Sequence, residues 1–180
     1  MEEQNSLKQH VVKYGLILSM VSIAITMILY LINYELLAKG WVGLIILAVI
    51  LGLLIIVGNK YRESIGGFMS FKEGFKLTFL TLAISILIGT LFNIVLYHVI
   101  DTELGSKLDE VIMTNTAEMM EKFGAPESSI DETLQNLSEN SNFTIKKQLF
   151  SMLWSLLIGG GIISLIVGAI IKRKNPELIA

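Results

Sequence analysis

Four long apolar runs, separated by polar segments, dominate the hydropathy pattern of the chain. A helix that crosses a bilayer needs about 20 mainly apolar residues, with a usual range of roughly 17–25, and each run is close to that length. The few charged residues in these runs lie near their ends, where long side chains can reach the membrane surface. Lipid offers the backbone no hydrogen bonds, so we expect each span to be a helix. The predicted spans are about 11–33, 41–57, 75–100 and 149–171.

The composition argues against a soluble alternative for these runs. Hydrophobic residues make up 53% of the 180-residue chain and charged residues only 17%, whereas soluble domains typically carry about 25% charged residues. A chain of this length also lacks the polypeptide needed to bury four wholly apolar helices in a soluble core. We therefore predict an all-α, polytopic membrane protein with four transmembrane helices. Its parts are 1–100 with three spans, 101–147 as an extramembrane segment, and 148–180 with the fourth span and a basic tail.

Lysine and arginine are distributed unevenly between the two sides of the predicted bundle. Nine of the 14 basic residues lie in the N-terminal segment, the second connection or the tail, which share one side if there are four spans. Because cytoplasmic segments carry the excess of basic residues, this asymmetry predicts that both termini are cytoplasmic. Lys146 and Lys147 run against the trend, since they abut the fourth span on the opposite side.

The connection between the third and fourth spans is strongly acidic. Over 101–143 it holds ten acids but only two lysines, a formal charge of −8. Two apolar stripes recur there at helical spacing; Gly124 and Pro126 separate them, and Ser129 with Glu132 forms a capping-box pattern near the start of the second. We expect an acidic helical hairpin that packs on itself or on the bundle. The first stripe comprises Leu104, Leu108, Val111, Asn115, Met119 and Phe123, and the second Ile130, Leu134 and Leu137.

The connection between the second and third spans carries the most distinctive motif of the chain, GGFMSFKEGFK at 66–76. Within it, Ser70 and Glu73 form a capping box, in which the two side chains satisfy exposed backbone amides reciprocally. This pattern predicts that the third helix begins before the apolar run does, with Phe71 and Phe75 near the headgroups.

These features together resemble a known family. They are the 66–76 motif with the preceding Tyr61-Arg62-Glu63, the acidic helical segment, and the glycine-rich last span before Lys172-Arg173-Lys174. The family is an uncharacterised one of bacterial membrane proteins, called domain of unknown function 4199, and the resemblance covers nearly the whole chain. It implies a small multi-pass protein of the bacterial inner membrane. It assigns no reaction and therefore no catalytic residue.

Small and polar residues recur every three or four positions in three of the predicted spans. Such residues let helices approach closely in lipid and hydrogen-bond across the seam, which is ordinary packing. The alternative interpretation is a polar pathway for a solute. The residues in question are Thr81, Ser85, Gly89 and Asn93 in the third span, Gly160, Ser164 and Gly168 in the fourth, and Gly15, Ser19, Ser22, Thr26 and Tyr30 in the first.

The sequence contains no pattern typical of a catalytic or metal site. There is no cysteine, and the two histidines, His10 and His98, fall on opposite sides of the predicted membrane. His98 and Asp101 either form a proton-linked pair or simply end the third helix at the headgroups. The acidic segment lacks the calcium-loop pattern, and no nucleophile motif is present. We expect no enzyme activity, cofactor or metal, and the net charge of −2 is too small to indicate a nucleic-acid partner.

The leading functional hypothesis is a non-enzymatic membrane protein that binds a partner, or serves as an accessory component, through its acidic extracytoplasmic hairpin. Its expected partners are the lipid bilayer and either another protein or a second copy of the chain. The alternative is a small oligomeric transporter or channel that uses the polar stripe of the third helix. Coupled transporters usually place ionisable groups within the membrane, and here Asn93 is the deepest strongly polar group of that helix.

Overall fold

The computed structural model describes residues 2–174, with side chains from Ser6 onward, and this part of the chain consists of helices and their short connections, with no β-strand. A 3₁₀ turn, Tyr34–Ala38, joins the first two helices, and two π-helical segments, Leu96–Ile100 and Ser155–Gly160, extend α3 and join α6 to α7. The helices are α1 Glu2–Asn33, α2 Gly40–Ser64, α3 Phe71–Val95, α4 Leu104–Lys122, α5 Glu127–Glu139, α6 Ile145–Trp154 and α7 Gly161–Ile171.

Within residues 2–174, four helical units are long and apolar enough to cross a membrane, which confirms the predicted number of candidate spans and the all-α class. Each unit is longer than the apolar run that predicted it, because more polar residues continue the helix at its start and, in the first two units, also at its end. The units are Ser6–Ala38, Gly40–Ser64, Phe71–Ile100 and Ile145–Ile171.

Helix α3 lies at the centre of the bundle and packs against α1, α2, α6 and α7. Leu77, in the first half of α3, is fully buried in the core of the bundle. The same core contains Leu18 from α1, Leu54 from α2, and Val167 and Ile171 from α7. Most other apolar side chains of the spans point outward and are exposed. In a bilayer that outward surface is the natural face for lipid, which explains why the chain carries so few charges.

The acidic segment forms the expected hairpin of α4 and α5, and it packs both on itself and on the bundle. Leu104 and Leu108 of α4 are fully buried against Leu96 at the end of α3, in a second apolar cluster. The first connection also contacts α4. The hairpin therefore caps one end of the bundle instead of projecting from it on flexible linkers.

One local detail of the hairpin prediction is wrong. Helix α5 begins at Glu127 with Pro126 as its N-cap and no side-chain cap, so Ser129 and Glu132 lie inside the helix and form no capping box. Proline favours the first helical positions because its fixed φ angle suits them and it has no N–H to leave unsatisfied, so it starts the helix earlier than the serine would. The Ser129 carbonyl instead accepts a bond from the Thr133 hydroxyl at 2.8 Å.

Candidate functional site

The polar stripe of α3 is tightly packed in the half of the helix that follows Phe71 and open in the half that leads to Val95. Thr81 and Ser85 are buried, and Thr81 Oγ1 donates to the Leu77 carbonyl oxygen at 2.7 Å. Gly89 has open space where a Cβ would stand. Asn93 is half-buried, and its side-chain amide has no partner among the described residues. The Thr81 hydroxyl is thus satisfied by its own helix, whereas Asn93 keeps its hydrogen-bonding capacity free.

Helix α7 approaches α3 most closely at Gly168. A Cβ added there would lie 2.9 Å from the Phe75 backbone nitrogen and 3.4 Å from the carbonyl carbon of Gly74. Because these are backbone atoms, the contact cannot be relieved by a side-chain rotation. Ser164 is fully buried on the same face, and its hydroxyl has no partner in the described part of the chain. Gly160 is buried too, but a Cβ there would meet its nearest neighbour, Leu156 Cδ1, at 3.5 Å, which is ordinary contact.

Helix α1 meets α3 through the small residues that the sequence singled out. A Cβ on Gly15 would lie 2.8 Å from the Ile84 side chain and 3.3 Å from the Thr81 carbonyl oxygen. Ser19 is buried one turn further on, and its hydroxyl donates to the Leu16 carbonyl oxygen at 2.8 Å. In the half of the bundle that contains the start of α3, the small-residue faces of α1, α3 and α7 are therefore the surfaces through which the helices pack closely.

The 66–76 motif forms the turn that starts α3 at one end of the bundle. Gly66 and Gly67 have φ angles of 98° and 87°, a region that favours glycine. The predicted capping box is present: Ser70 Oγ accepts the Glu73 N–H at 3.3 Å, and the Glu73 carboxylate accepts the Ser70 N–H at 2.8 Å. Gly74 then allows the close approach to α7 described above. The glycines, the serine and the glutamate of the motif thus each have a structural role.

Three contacts at this end were not predicted from the sequence. Met69, which is buried, pairs with Arg173 through an antiparallel β-bridge. Arg62 Nη1 donates to the Ile171 carbonyl oxygen at 2.8 Å, so it binds a carbonyl that the last turn of α7 leaves unpaired. His10 Nε2 lies 3.1 Å from the Val57 carbonyl oxygen.

These contacts join segments that are far apart in the chain, and local patterns carry no signal for them. In the sequence, the basic residues near the ends of α2 and α7 predicted only which side of the membrane is cytoplasmic.

At the opposite end, polar contacts fix the hairpin to the bundle. Tyr30 of α1 donates its hydroxyl to Asp101 Oδ2 at 3.1 Å. Lys39 Nζ donates to Asn115 Oδ1 at 2.9 Å, which ties the first connection to the middle of α4. The Asn115 amide nitrogen is buried without a partner in the described structure. Asp101 accepts from Tyr30 and from the Glu103 N–H; no bond to His98 forms, so the proton-linked pair considered from the sequence is absent here.

A cavity of about 580 Å³ opens at the base of the hairpin, between the outer end of α3, the first turns of α4 and the loop after α5. His98, Asp109 and Glu110 line it, together with the rings of Tyr97 and Phe143. Those two rings stack edge-on with centroids 5.0 Å apart. Among the described residues, no three His, Asp or Glu side chains converge as metal ligands. The two carboxylates beside an apolar wall suit a cationic group such as a lysine or arginine side chain.

Most acids of the hairpin are not neutralised by a neighbouring base. In the described structure, the ion pairs are Glu103 with Lys107 at 3.0 Å and Glu118 with Lys122 at 3.8 Å. Accepting that bond, Glu103 raises the pKa of the Lys107 ammonium group above its ordinary value. Both lysines of 101–143 are therefore occupied, and the remaining carboxylates give the hairpin an unbalanced negative surface.

The apolar stripe of α4 leaves the bundle as the helix proceeds. Leu104 and Leu108 at its start are buried, but Met119 is 54% exposed and Phe123, the C-cap residue directly after the helix, is 85% exposed. Glu118 and Glu121 are exposed beside them. The tip of the hairpin therefore presents a methionine and a phenylalanine framed by carboxylates, and within the described structure nothing covers them.

The fold and these surfaces define a multi-pass helical membrane protein: four spans that pack through small residues, and an acidic helical hairpin over one end. The sequence profile of one family, described as protein of unknown function (DUF4199), matches residues 13–173. The chain belongs to this family, as the resemblance indicated. The comparisons with curated proteins and with solved structures returned no match.

Proposed function

We propose that this is a non-enzymatic accessory protein that recognises a protein partner through the tip of its α4–α5 hairpin. The observation that carries the proposal is that the apolar stripe of α4 is buried at its start and exposed at its end. Its first half, Leu104 and Leu108, fixes the hairpin to the bundle, and its second half, Met119 and Phe123, stays exposed. An exposed aromatic side chain at a rigidly held position is typical of binding surfaces, because little conformational entropy is lost on contact.

The charge of the hairpin favours a basic partner. Ten acids and two lysines over 101–143 would make two hairpins repel one another, so a second copy fits this surface poorly. A partner with lysine or arginine around an apolar pocket would fit both the exposed ring and the carboxylates. The cavity that His98, Asp109 and Glu110 line at the base of the hairpin offers a second contact for a cationic side chain.

We place this surface outside the cytoplasm of a bacterial cell, in the periplasm or its equivalent, with both chain termini cytoplasmic. The excess of basic residues at the other end of the bundle supports that orientation, and the family resemblance supports the bacterial inner membrane. A partner would accordingly be an extracytoplasmic protein or the exposed segment of another membrane protein.

A photo-crosslinking residue at Phe123 tests the proposal in native membranes. We expect a discrete adduct with a basic protein. Glu118→Gln combined with Glu121→Gln should weaken it about three-fold or more at low salt, and less at high salt, where the carboxylates are already screened. The matched control places the same reactive residue at Phe68, which is exposed at the other end of the bundle. The same adducts from Phe123 and Phe68, or an adduct indifferent to the two glutamates, would contradict the proposal.

A further inference from the structure

A groove lies along the first turns of the fourth span, between α6 and the end of α5. It has a volume of about 750 Å³. Glu139, Asn140, Ser141 and Thr144 form its upper wall with Lys146 and Lys147, and Leu149, Phe150, Met152 and Leu153 form its lower wall. The groove is thus polar and cationic at one end and apolar at the other.

The groove lies at the surface of the membrane. The unit Ile145–Ile171 has 27 residues and rises about 40 Å, which exceeds the roughly 30 Å of the hydrocarbon core. This surplus, together with Lys146, Lys147 and Gln148 at the start of the unit, puts its first turn among the headgroups, while Leu149 and Leu153, one and two turns further on, reach the acyl chains. The placement does not depend on which side of the membrane this end faces.

The two lysines differ from Lys107 and Lys122, which are paired with glutamates. Like Lys39, which donates to the neutral amide oxygen of Asn115, they have no carboxylate partner in the described structure. Lys147 Nζ donates to the Asn140 carbonyl oxygen at 2.7 Å, which leaves its charge uncompensated. Lys146 is exposed, and its ammonium group has no partner among the described residues.

The apolar wall continues down the same helix. Phe150 and Trp154 are 68% and 60% exposed, and their rings stack with an interplanar angle of 11° and centroids 6.4 Å apart. Phe150 lines the groove and Trp154 extends this exposed apolar surface by one turn, so an acyl chain can pack against both rings. Aromatic side chains at this depth are typical of the membrane interface.

We infer that this groove binds an anionic phospholipid, with its phosphate on Lys146 and Lys147 and one acyl chain along Leu149, Phe150 and Leu153. The phosphate supplies the negative charge that the two ammonium groups lack, and the first free N–H groups of α6 add to the attraction. Glu139 also lines the groove, but its Oε1 accepts a bond from Gln135 Nε2 at 3.0 Å, which holds that carboxylate toward α5. The site explains why two lysines stand where the orientation rule disfavours them.

Bromine-labelled lipids test this inference, because bromine on an acyl chain quenches a nearby tryptophan. The chain has two tryptophans, so Trp41→Phe leaves Trp154 as the reporter. The vesicles consist of phosphatidylcholine with a minor fraction of phosphatidylglycerol. In one sample the phosphatidylglycerol is brominated, and in a second sample an equal amount of the phosphatidylcholine is brominated instead. We expect bromine on phosphatidylglycerol to quench several-fold more strongly, since each lysine near anionic headgroups enriches them about five-fold.

Lys146→Gln combined with Lys147→Gln should bring the quenching ratio of the two lipids close to one. Because Lys147 also donates to the Asn140 carbonyl oxygen, the double variant breaks a bond within the protein. The single variant Lys146→Gln breaks no bond in the described structure, and it should lower the quenching ratio too. Lys122→Gln, an exposed lysine in the last turn of α4, serves as the matched control and should leave the ratio unchanged. A ratio near one in the parent protein, or a ratio that survives the double substitution, would overturn the inference.

Discussion

Met69 and Arg173 pair their backbones in both directions: the Met69 N–H donates to the Arg173 carbonyl oxygen at 3.0 Å, and the Arg173 N–H donates to the Met69 carbonyl oxygen at 2.8 Å. The bridge joins the turn before α3 to the chain directly after α7. Arg62 adds a third segment through its bond to the Ile171 carbonyl oxygen. One end of the bundle is therefore closed by backbone contacts, while the other is closed by the apolar base of the hairpin.

The closeness of α3 and α7 predicts a steep cost for any side chain at Gly168. Gly168→Leu forces atoms against the backbone of Phe75, so we expect a loss of at least roughly 1–3 kcal/mol in the free energy of unfolding. Denaturation in detergent, followed by circular dichroism, measures it. Gly159→Leu is the control, since a Cβ there meets nothing within 4 Å. Equal loss in both variants would show that the contact does not limit stability.

The turn that precedes α3 should be sensitive to loss of its second glycine. At Gly67 the φ angle is 87°, and a Cβ would meet no neighbouring atom within 4 Å, so conformational strain alone sets the cost of Gly67→Ala. We expect a destabilisation of about 1–2 kcal/mol. Gly43→Ala, in α2 and equally uncrowded, should be neutral or slightly stabilising. If thermal unfolding midpoints of the two variants coincide, the left-handed conformation at Gly67 carries no cost.

Truncating a side chain should destabilise the protein strongly at the base of the hairpin and hardly at all at its tip. Leu108 is 1% exposed, so Leu108→Ala should lower the free energy of unfolding by about 2–5 kcal/mol. Phe123→Ala removes a larger side chain but uncovers no cavity, and we expect a change within about 0.5 kcal/mol. Chemical denaturation of the two variants compares them directly. Strong destabilisation by Phe123→Ala would mean that the ring is buried in the folded protein.

The number of spans and the hairpin followed from the sequence because long apolar runs and three-to-four-residue spacing are local properties. The capping box of Ser70 and Glu73 was equally local. Burial along α4 was not: Leu108 and Phe123 belong to one stripe, and only the path of the helix over the bundle decides which of them is covered. The Met69–Arg173 bridge joins two distant segments, so neither segment alone predicts it.

The π-helical segments were also missed. They alter the 3.6-residue period on which the stripes were read. At Leu96–Ile100 the wider winding turns His98 relative to its expected position beside Asp101, and His98 lines the cavity instead. At Ser155–Gly160 the winding precedes Ser164 and Gly168, so those two positions keep their common face.

The proposed orientation predicts the outcome of reporter fusions. A reporter joined after Arg62 or after Lys174 should be active in the cytoplasm, and one inserted within 118–138 should be active outside it, because the basic residues concentrate at the first two positions. Reporters whose activity depends on the compartment measure this in whole cells. Extracytoplasmic signals after both Arg62 and Lys174 would reverse the placement of the hairpin, whereas such a signal after Lys174 alone would require an odd number of spans between the two positions.

Asn93 and Phe123 distinguish partner binding from transport. Deleting most of the hairpin would be ambiguous, since the buried contacts of Leu104 and Leu108 would be lost with it. Point substitutions avoid this. Phe123→Ser should abolish partner capture and leave folding intact. Asn93→Leu should leave capture unchanged, because that amide bonds to nothing in the described structure.

If the polar stripe of α3 instead conducts a solute, Asn93→Leu should reduce flux in reconstituted vesicles by about ten-fold, the effect of losing roughly 1.4 kcal/mol of polar stabilisation. Flux that depends on Asn93 and is indifferent to Phe123→Ser would favour the transporter over the binding protein.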